Sequence, residues 1–359
     1  MRRLRWYGWL AAVVLAVGVL WAFRVRLMAA AYARPPVSVD EVWGLVWRED
    51  AYVSKGSNAE RRAVQAMLTA VDPYAYYVPP EDAALVKSER PSGALVAVEG
   101  ARLVVREVWP GSGAAAGGLR PGDQVIAVAG RAVGAPPDRF ERLALDWLPA
   151  QGEREVTVVR DGRRQRLRLR YRPFPPQEAV FGGVAYIRPF LWLRGQGRAF
   201  REAVCRRKEA RLVVDLRGNG GGDPAEAAEG LSAFLPAGAR VARMVDRNGR
   251  VILRVVTEKA PCYRGKVAVL VDGETASASE MFAGALQRAG RAVLVGRRTY
   301  GKGVWQGELR LWGGGGFLML TRGRWYFADG SNLDGEGLKP DVDWEGEAWE
   351  EALRRIPGW

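Results

Sequence analysis

Two short stretches carry residue types suited to covalent chemistry: Thr275-Ala276-Ser277-Ala278-Ser279-Glu280 and, downstream, Tyr300-Gly301-Lys302-Gly303-Val304-Trp305-Gln306. The serines fall between a strand-like run at residues 267–272 and a helix-like run at 281–288. A turn of that kind sets a hydroxyl beside the unpaired N–H groups of a helix start. The same amides suit an oxyanion once the hydroxyl has attacked a carbonyl. A serine nucleophile needs a base, and the chain contains no histidine, so a Ser-His-Asp triad is excluded. Lysine is the remaining common option, and Lys302 lies between two glycines where its amine can be held close. These residues predict a Ser–Lys hydrolase.

The absence of histidine narrows other chemistry as well. With Cys205 and Cys262 as the only cysteines, no ordinary zinc site can be assembled. No loop has the acidic spacing that magnesium or calcium would need, so no cofactor is expected. The formal net charge is +14, a balance that suits life against an anionic membrane surface. The basic residues form no dense run with interleaved aromatics, which argues against a nucleic-acid partner. Cys205 and Cys262 are available for one disulfide in an oxidising compartment.

Four regions must position these residues. In residues 1–34, Arg2, Arg3 and Arg5 precede an uncharged, mostly apolar run at 6–23, closed by Arg24 and Arg26. As a helix that run spans about 27 Å, just enough for a bilayer core. Its length favours a single-pass anchor, while Ala29-Ala30-Ala31-Tyr32-Ala33 keeps a cleaved signal peptide open. Either reading places the bulk of the protein on the extracytoplasmic side of the cell membrane. Residues 35–90 read as short helices, with Val39, Val42, Trp43 and Val46, then Val64, Met67, Leu68 and Val71, at helical spacing. That region reads as a helical cap whose individual residues carry no chemistry.

Residues 91–173 change to strand texture. A hairpin is expected at 95–98 and 103–105, a strand at 124–128, a helix at 137–147 and a second hairpin at 155–159 and 164–171. In that last strand Arg166, Arg168 and Arg170 alternate with Leu167, Leu169 and Tyr171, so one face is cationic. Residues 174–359 alternate strands and helices. A buried strand at 211–216 runs into Arg217-Gly218-Asn219-Gly220-Gly221-Gly222-Asp223 and then a helix, a geometry that brings backbone amides close to a ligand. The lysine and glycine pattern of a phosphate loop is missing, so an oxyanion-binding loop fits better.

The stretch Val108-Trp109-Pro110-Gly111-Ser112-Gly113-Ala114-Ala115, leading into Gly118-Leu119-Arg120-Pro121-Gly122-Asp123, resembles a PDZ domain. Such a domain takes a peptide as an added strand and holds its terminal carboxylate with loop amides, here those of Gly93, Ala94 and Leu95. Taken together, Asp215-Leu216-Arg217-Gly218-Asn219-Gly220-Gly221-Gly222, the Ser277 and Lys302 stretches, Leu320-Thr321-Arg322-Gly323-Arg324-Trp325-Tyr326 and Gly337-Leu338-Lys339-Pro340-Asp341 resemble the carboxyl-terminal processing, or tail-specific, serine proteases. Asp72-Pro73-Tyr74 belongs to the same resemblance. It implies an α/β fold: a crotonase-like ββα protease core with an N-terminal helical part, an inserted PDZ-like β domain and one membrane helix in front. The family's spacing from nucleophile to base picks Ser277 rather than Ser279 for Lys302, and adds Gln306 to orient the lysine. Its oxyanion hole maps to Ala278 and Gly222, with Gly221 as the alternative. A lysine is ordinarily protonated at neutral pH, so apolar neighbours are expected to desolvate Lys302 and lower its pKa. The implied partners are protein substrates with apolar C-terminal tails and the cytoplasmic membrane, with room for a second copy or a regulatory partner. The rival readings are a tail-binding scaffold that does not cut and a crotonase-like acyl-CoA enzyme.

Overall fold

Two runs, Arg211–Asp215 and Lys266–Val271, are buried almost throughout, the pattern of strands covered on both faces, and the glycine loop and the Ser277 turn follow their ends. The computed structural model describes residues 59–359 except 89, 135–136, 138–144, 146–147, 150–151, 347 and 357. The expected membrane segment, the expected helix around 39–46 and most of the one at 137–147 lie outside the described residues. No described helix is long and apolar enough to cross a membrane.

In chain order, α1 (Ala59–Val71) leads to β1 (Tyr76–Val78), a single 3-10 turn (Pro80–Asp82) and α2 (Ala83–Ser88). A second group follows: β2 (Ala94–Glu99), β3 (Arg102–Val108), α3 (Gly113–Ala116), β4 (Gln124–Val128), β5 (Arg131–Ala132), β6 (Arg154–Arg160) and β7 (Arg163–Leu169). Next come β8 (Gln177–Phe181), β9 (Val184–Arg188), α4 (Gln196–Cys205), β10 (Arg211–Asp215), α5 (Pro224–Leu231), β11 (Arg240–Asp246) and β12 (Val251–Val256). The chain ends with β13 (Lys266–Val271), α6 (Ala278–Arg288), β14 (Val293–Gly296), β15 (Val304–Arg310), β16 (Phe317–Phe327), β17 (Val342–Asp343) and α7 (Trp349–Leu353).

The central sheet has the order β17-β14-β13-β10-β9-β8, parallel from β17 to β9. Alternation along its strands decides what each face meets. Leu212 and Val214 share a core with Val204, Leu231 and Phe282 from α4, α5 and α6. Val213, Ala268 and Leu270 turn to the other side and meet Trp349 and Leu353 of α7. Helices thus cover both faces, which is why these two strands read as unbroken apolar runs.

A second sheet, β1-β16-β11-β12 with β15 also on β16, carries the lysine stretch. Here the helical reading of residues 35–90 needs correction. Tyr76–Val78 is a strand paired antiparallel with Met319–Phe317, because Tyr76 and Val78 bury on one side while Tyr77 spans the other. A third sheet, β2-β3-β4-β6-β7, follows the expected hairpins, with β6 and β7 in register from Arg154↔Leu169 to Arg160↔Arg163. Its core is continued by Phe174, Phe190 and Leu193. Arg188 of β9 also reaches this sheet, donating to both Glu107 oxygens at 2.5 and 2.8 Å and lying 4.9 Å from the Trp109 ring centre. Cys205 at the end of α4 is disulfide-bonded to Cys262, with Cα atoms 5.3 Å apart, so the two cysteines do meet.

Candidate active site

β13 ends at Val271, and Asp272 closes the turn that follows by accepting the N–H groups of Glu274 and Thr275, both at 3.0 Å. The chain then enters α6 through Ser277, whose φ of 56° and ψ of −118° are strained for a residue with a side chain. Strain of this kind persists only where the surroundings over-determine it. Two neighbours do so. The N–H of Ser277 donates to Glu280 Oε2 at 2.8 Å, and that of Ala276 to the carbonyl of Asn219 at 3.1 Å.

Glu280 is fully buried and gathers the site around one carboxylate. Its Oε1 accepts from Thr299 Oγ1 at 2.5 Å and from the Gly301 N–H at 2.7 Å. The Oε2 that accepts from Ser277 also accepts from the Lys302 N–H, at 2.9 Å. A single oxygen thus holds the backbones of both expected catalytic residues, which cannot be further apart than those two bonds allow. Burial pushes the Glu280 carboxyl above its ordinary pKa, and the hydrogen bonds from Thr299, Gly301, Lys302 and Ser277 offset only part of that rise.

Lys302 lies in the irregular segment before β15, four residues ahead of Gln306. A bulge between Trp305 and Gln306 re-aims the strand. Lys302 Nζ donates to Gln306 Oε1 at 2.8 Å, and Gln306 Nε2 donates to the Tyr74 carbonyl at 2.5 Å. The amine also faces the Tyr74 ring, 4.9 Å from its centre. Two of its contacts are thus an amide oxygen and a π face.

The two serines differ in their surroundings. Ser279 is fully buried, donates to Asn219 Oδ1 at 2.8 Å and accepts from Trp192 Nε1 at 2.9 Å. It braces the glycine loop, whereas Ser277 is half-buried. Asn219 Oδ1 also accepts the Gly221 N–H at 3.1 Å. Among the described residues no hydrogen bond engages the N–H of Gly222 or of Ala278. A methyl group built on Gly221 would lie 2.9 Å from both Ala278 N and Ser277 Cβ, so the loop packs directly on the Ser277 turn. The expected carboxylate loop lies apart from these residues, on β2. Gly93 has φ of 82°, Ala94 and Leu95 start the strand, and the Ala94 N–H is engaged by Ser92 Oγ at 3.0 Å. Of the three amides expected to meet a carboxylate, Ala94's is already in use. No cluster of residues suited to a metal ion occurs among the described residues.

Sequence reading left Glu280, Asn219 and Tyr74 without roles. The Ser-x-x-Glu spacing of Ser277 and Glu280 is that of a helix capping box, a signal that was available for Glu280.

The sequence pattern of peptidase family S41 matches residues 184–344, the stretch that contains the glycine loop, Ser277, Glu280, Lys302 and Gln306. Over 301 residues the chain is 29% identical to carboxy-terminal processing protease CtpB of Bacillus subtilis (strain 168), covering 78% of this chain and 62% of that protein. Over 145 residues it is 37% identical to the chloroplastic carboxyl-terminal-processing peptidase 1 of Arabidopsis thaliana, covering 40% of this chain and 29% of that one. The chain therefore spans less than two thirds of the length of these relatives. A photosystem II D1 C-terminal processing protease shares the fold, with a TM-score of 0.56 at 23% identity over 90% of this chain and 92% of the other.

Proposed function

We propose that this chain, whose residues 184–344 belong to peptidase family S41, is a serine endopeptidase that cuts proteins recognised by their C-terminal tails with a Ser277–Lys302 dyad. The observation that carries this reading is the shared Glu280 oxygen, which fixes the backbones of Ser277 and Lys302 against each other. In the proposed reaction Ser277 Oγ attacks the scissile carbonyl carbon and its proton passes to Lys302 Nζ. The oxygen of the tetrahedral adduct takes the free N–H groups of Ala278 and Gly222, while the Gly221 N–H stays with Asn219. Collapse breaks the C–N bond, and Lys302 returns the proton to the leaving amine. Water, deprotonated by Lys302, then attacks the acyl carbon, the ester C–O bond to Ser277 breaks, and Lys302 returns the proton to Ser277 Oγ. Gln306 holds the lysine through its oxygen, its amide orientation set by the Tyr74 carbonyl.

The glycine loop gives a test of its own. At Gly222 φ is 140°, and a methyl group would run into the carbonyl of Trp192. Gly222→Ala is expected to lower kcat about 100-fold, the size of losing an oxyanion donor. Gly220→Ala, where a methyl meets nothing within 4 Å, is expected to stay within about 2-fold in the same peptidase assay.

Residues 91–173 are assigned the tail-binding role, as a PDZ-like domain that also gates the site. Among the described residues β2 pairs on one side only, with β3, which leaves an edge for an extended peptide. Residues 1–34 are assigned as a membrane anchor or signal peptide, with the catalytic part extracytoplasmic. The Cys205–Cys262 disulfide agrees with an oxidising compartment. The test offers the full chain a protein with an apolar C-terminus and the same protein with that terminus amidated. Cleavage of the free-tailed form at least about 10-fold faster is expected, the worth of one charge-assisted contact. Binding without any cleavage would favour a scaffold, and equal rates would remove the tail-directed reading.

A further inference from the structure

Lys302 becomes a cation only during the proposed reaction, and what it meets at that moment is the ring of Tyr74, 4.9 Å from Nζ. We infer that this ring stabilises the ammonium formed as Ser277 attacks, which makes Tyr74 a further catalytic residue. The inference rests on the Ser277–Lys302 reading and deepens it.

Tyr74 is held in place by a chain of contacts. Its N–H donates to Asp72 Oδ1 at 2.9 Å. Asp72 in turn accepts from the Thr321 N–H at 2.8 Å and from Thr321 Oγ1 at 3.1 Å. Thr321 lies opposite Gln306 in the β15–β16 register, and Gln306 bridges Lys302 Nζ to the Tyr74 carbonyl. The loop therefore closes on itself: Lys302, Gln306, Thr321, Asp72 and Tyr74. A ring face attracts a cation and is indifferent to a neutral amine, so its contribution appears as Lys302 gains its proton. Gln306 Oε1 fixes where the amine points, while the ring supplies stabilisation that grows with charge.

The sign follows. The ring favours the ammonium, so weakening it lowers the Lys302 pKa, and the acid limb of the rate profile moves to lower pH. The plateau rate falls, because the cation formed in the transition state has lost its support. Among the described residues, other charged or titratable groups face this segment besides Asp72, which accepts the Tyr74 N–H. Glu280 accepts the Lys302 backbone N–H, Asp334 accepts the Gly303 N–H and pairs with Arg324, and the Tyr300 side chain is exposed. Their charges are unchanged by altering the electrons of the ring.

The experiment measures kcat and kcat/KM against pH for the full chain carrying phenylalanine, mono-, di- or trifluorophenylalanine at Tyr74, with Tyr74→Leu alongside. Fluorination drains the ring face and leaves its shape almost intact, so the series keeps the fold where Tyr74→Leu fails to. The expected result is a stepwise shift of the acid limb to lower pH, reaching about 0.5–1 unit, with a plateau loss of about 3- to 10-fold. Tyr74→Phe keeps the limb within about 0.2 unit of the unaltered chain. A limb that stays put across the series, or a uniform loss at every pH, would overturn the inference, as would Tyr74→Phe being as impaired as trifluorophenylalanine. Lys302→Ala separates the two claims. Full activity in that variant removes the dyad itself, whereas an inactive Lys302→Ala beside an unmoved fluorination series removes only Tyr74.

Discussion

Lys302→Ala is expected to lower kcat about 10⁴-fold or more with KM changed little, and Ser277→Ala to match it, because nucleophile and base act as one unit. The double variant should be hardly worse than either single one. Lys302→Arg should not rescue, since a guanidinium stays protonated and has no lone pair to offer. The magnitude comes from what the site lacks. With no histidine in the chain, and with Glu280 already taking four donors, neither supplies a second base to replace the amine. The measurement is initial rates on an apolar-tailed protein, with circular dichroism to establish that each variant folds.

The Glu280 variants should show the second large effect, on stability and activity together. Glu280→Ala strands the N–H groups of Ser277, Gly301 and Lys302 and the hydroxyl of Thr299 in the interior. At about 1–3 kcal/mol for each unsatisfied donor, and less than additive, the expected destabilisation is about 4 kcal/mol in urea unfolding. Activity should fall about 100-fold or more, since the nucleophile and base lose their common anchor. Glu280→Gln keeps one acceptor oxygen and should lie between. The pH dependence is the reverse of a salt-bridged carboxylate. Because burial raises the folded pKa above the ordinary 4.5, the group's stabilising contribution is complete below that ordinary value and is lost as pH rises through the raised one. Only the ionised form accepts from all four donors, so the dyad is best organised where Glu280 favours the fold least. In Glu280→Gln this slope of stability with pH disappears.

Much of this site was legible in the chain because its chemistry is compressed into short motifs. The missing histidine, the serine at a strand-to-helix turn and the glycine loop are local patterns whose physics does not depend on distant residues. The buried parallel strands Arg211–Asp215 and Lys266–Val271 were equally plain, since both faces are covered and apolar residues run without interruption. What escaped depends on contacts between stretches far apart in sequence. Tyr76–Val78 is too short to show alternation and is a strand only because β16 offers an edge. Tyr74 was legible only as part of the Asp72-Pro73-Tyr74 motif, and its place beside Lys302 follows from Asp72 gripping Thr321. Lys302 and Gln306 do meet, and the bulge at Trp305 and Gln306 that shapes the start of β15 is set by the pairing with β16.

The central claim is that Ser277, activated by Lys302, forms the covalent bond to substrate. The most direct test mixes the full chain at neutral pH with an apolar peptide p-nitrophenyl ester, quenches in acid and maps the adduct by mass spectrometry. One acyl group per chain on Ser277, absent in Ser277→Ala and in Lys302→Ala, is the predicted result. An acyl group on Ser279 or elsewhere, or full turnover with no acylated serine, would contradict it.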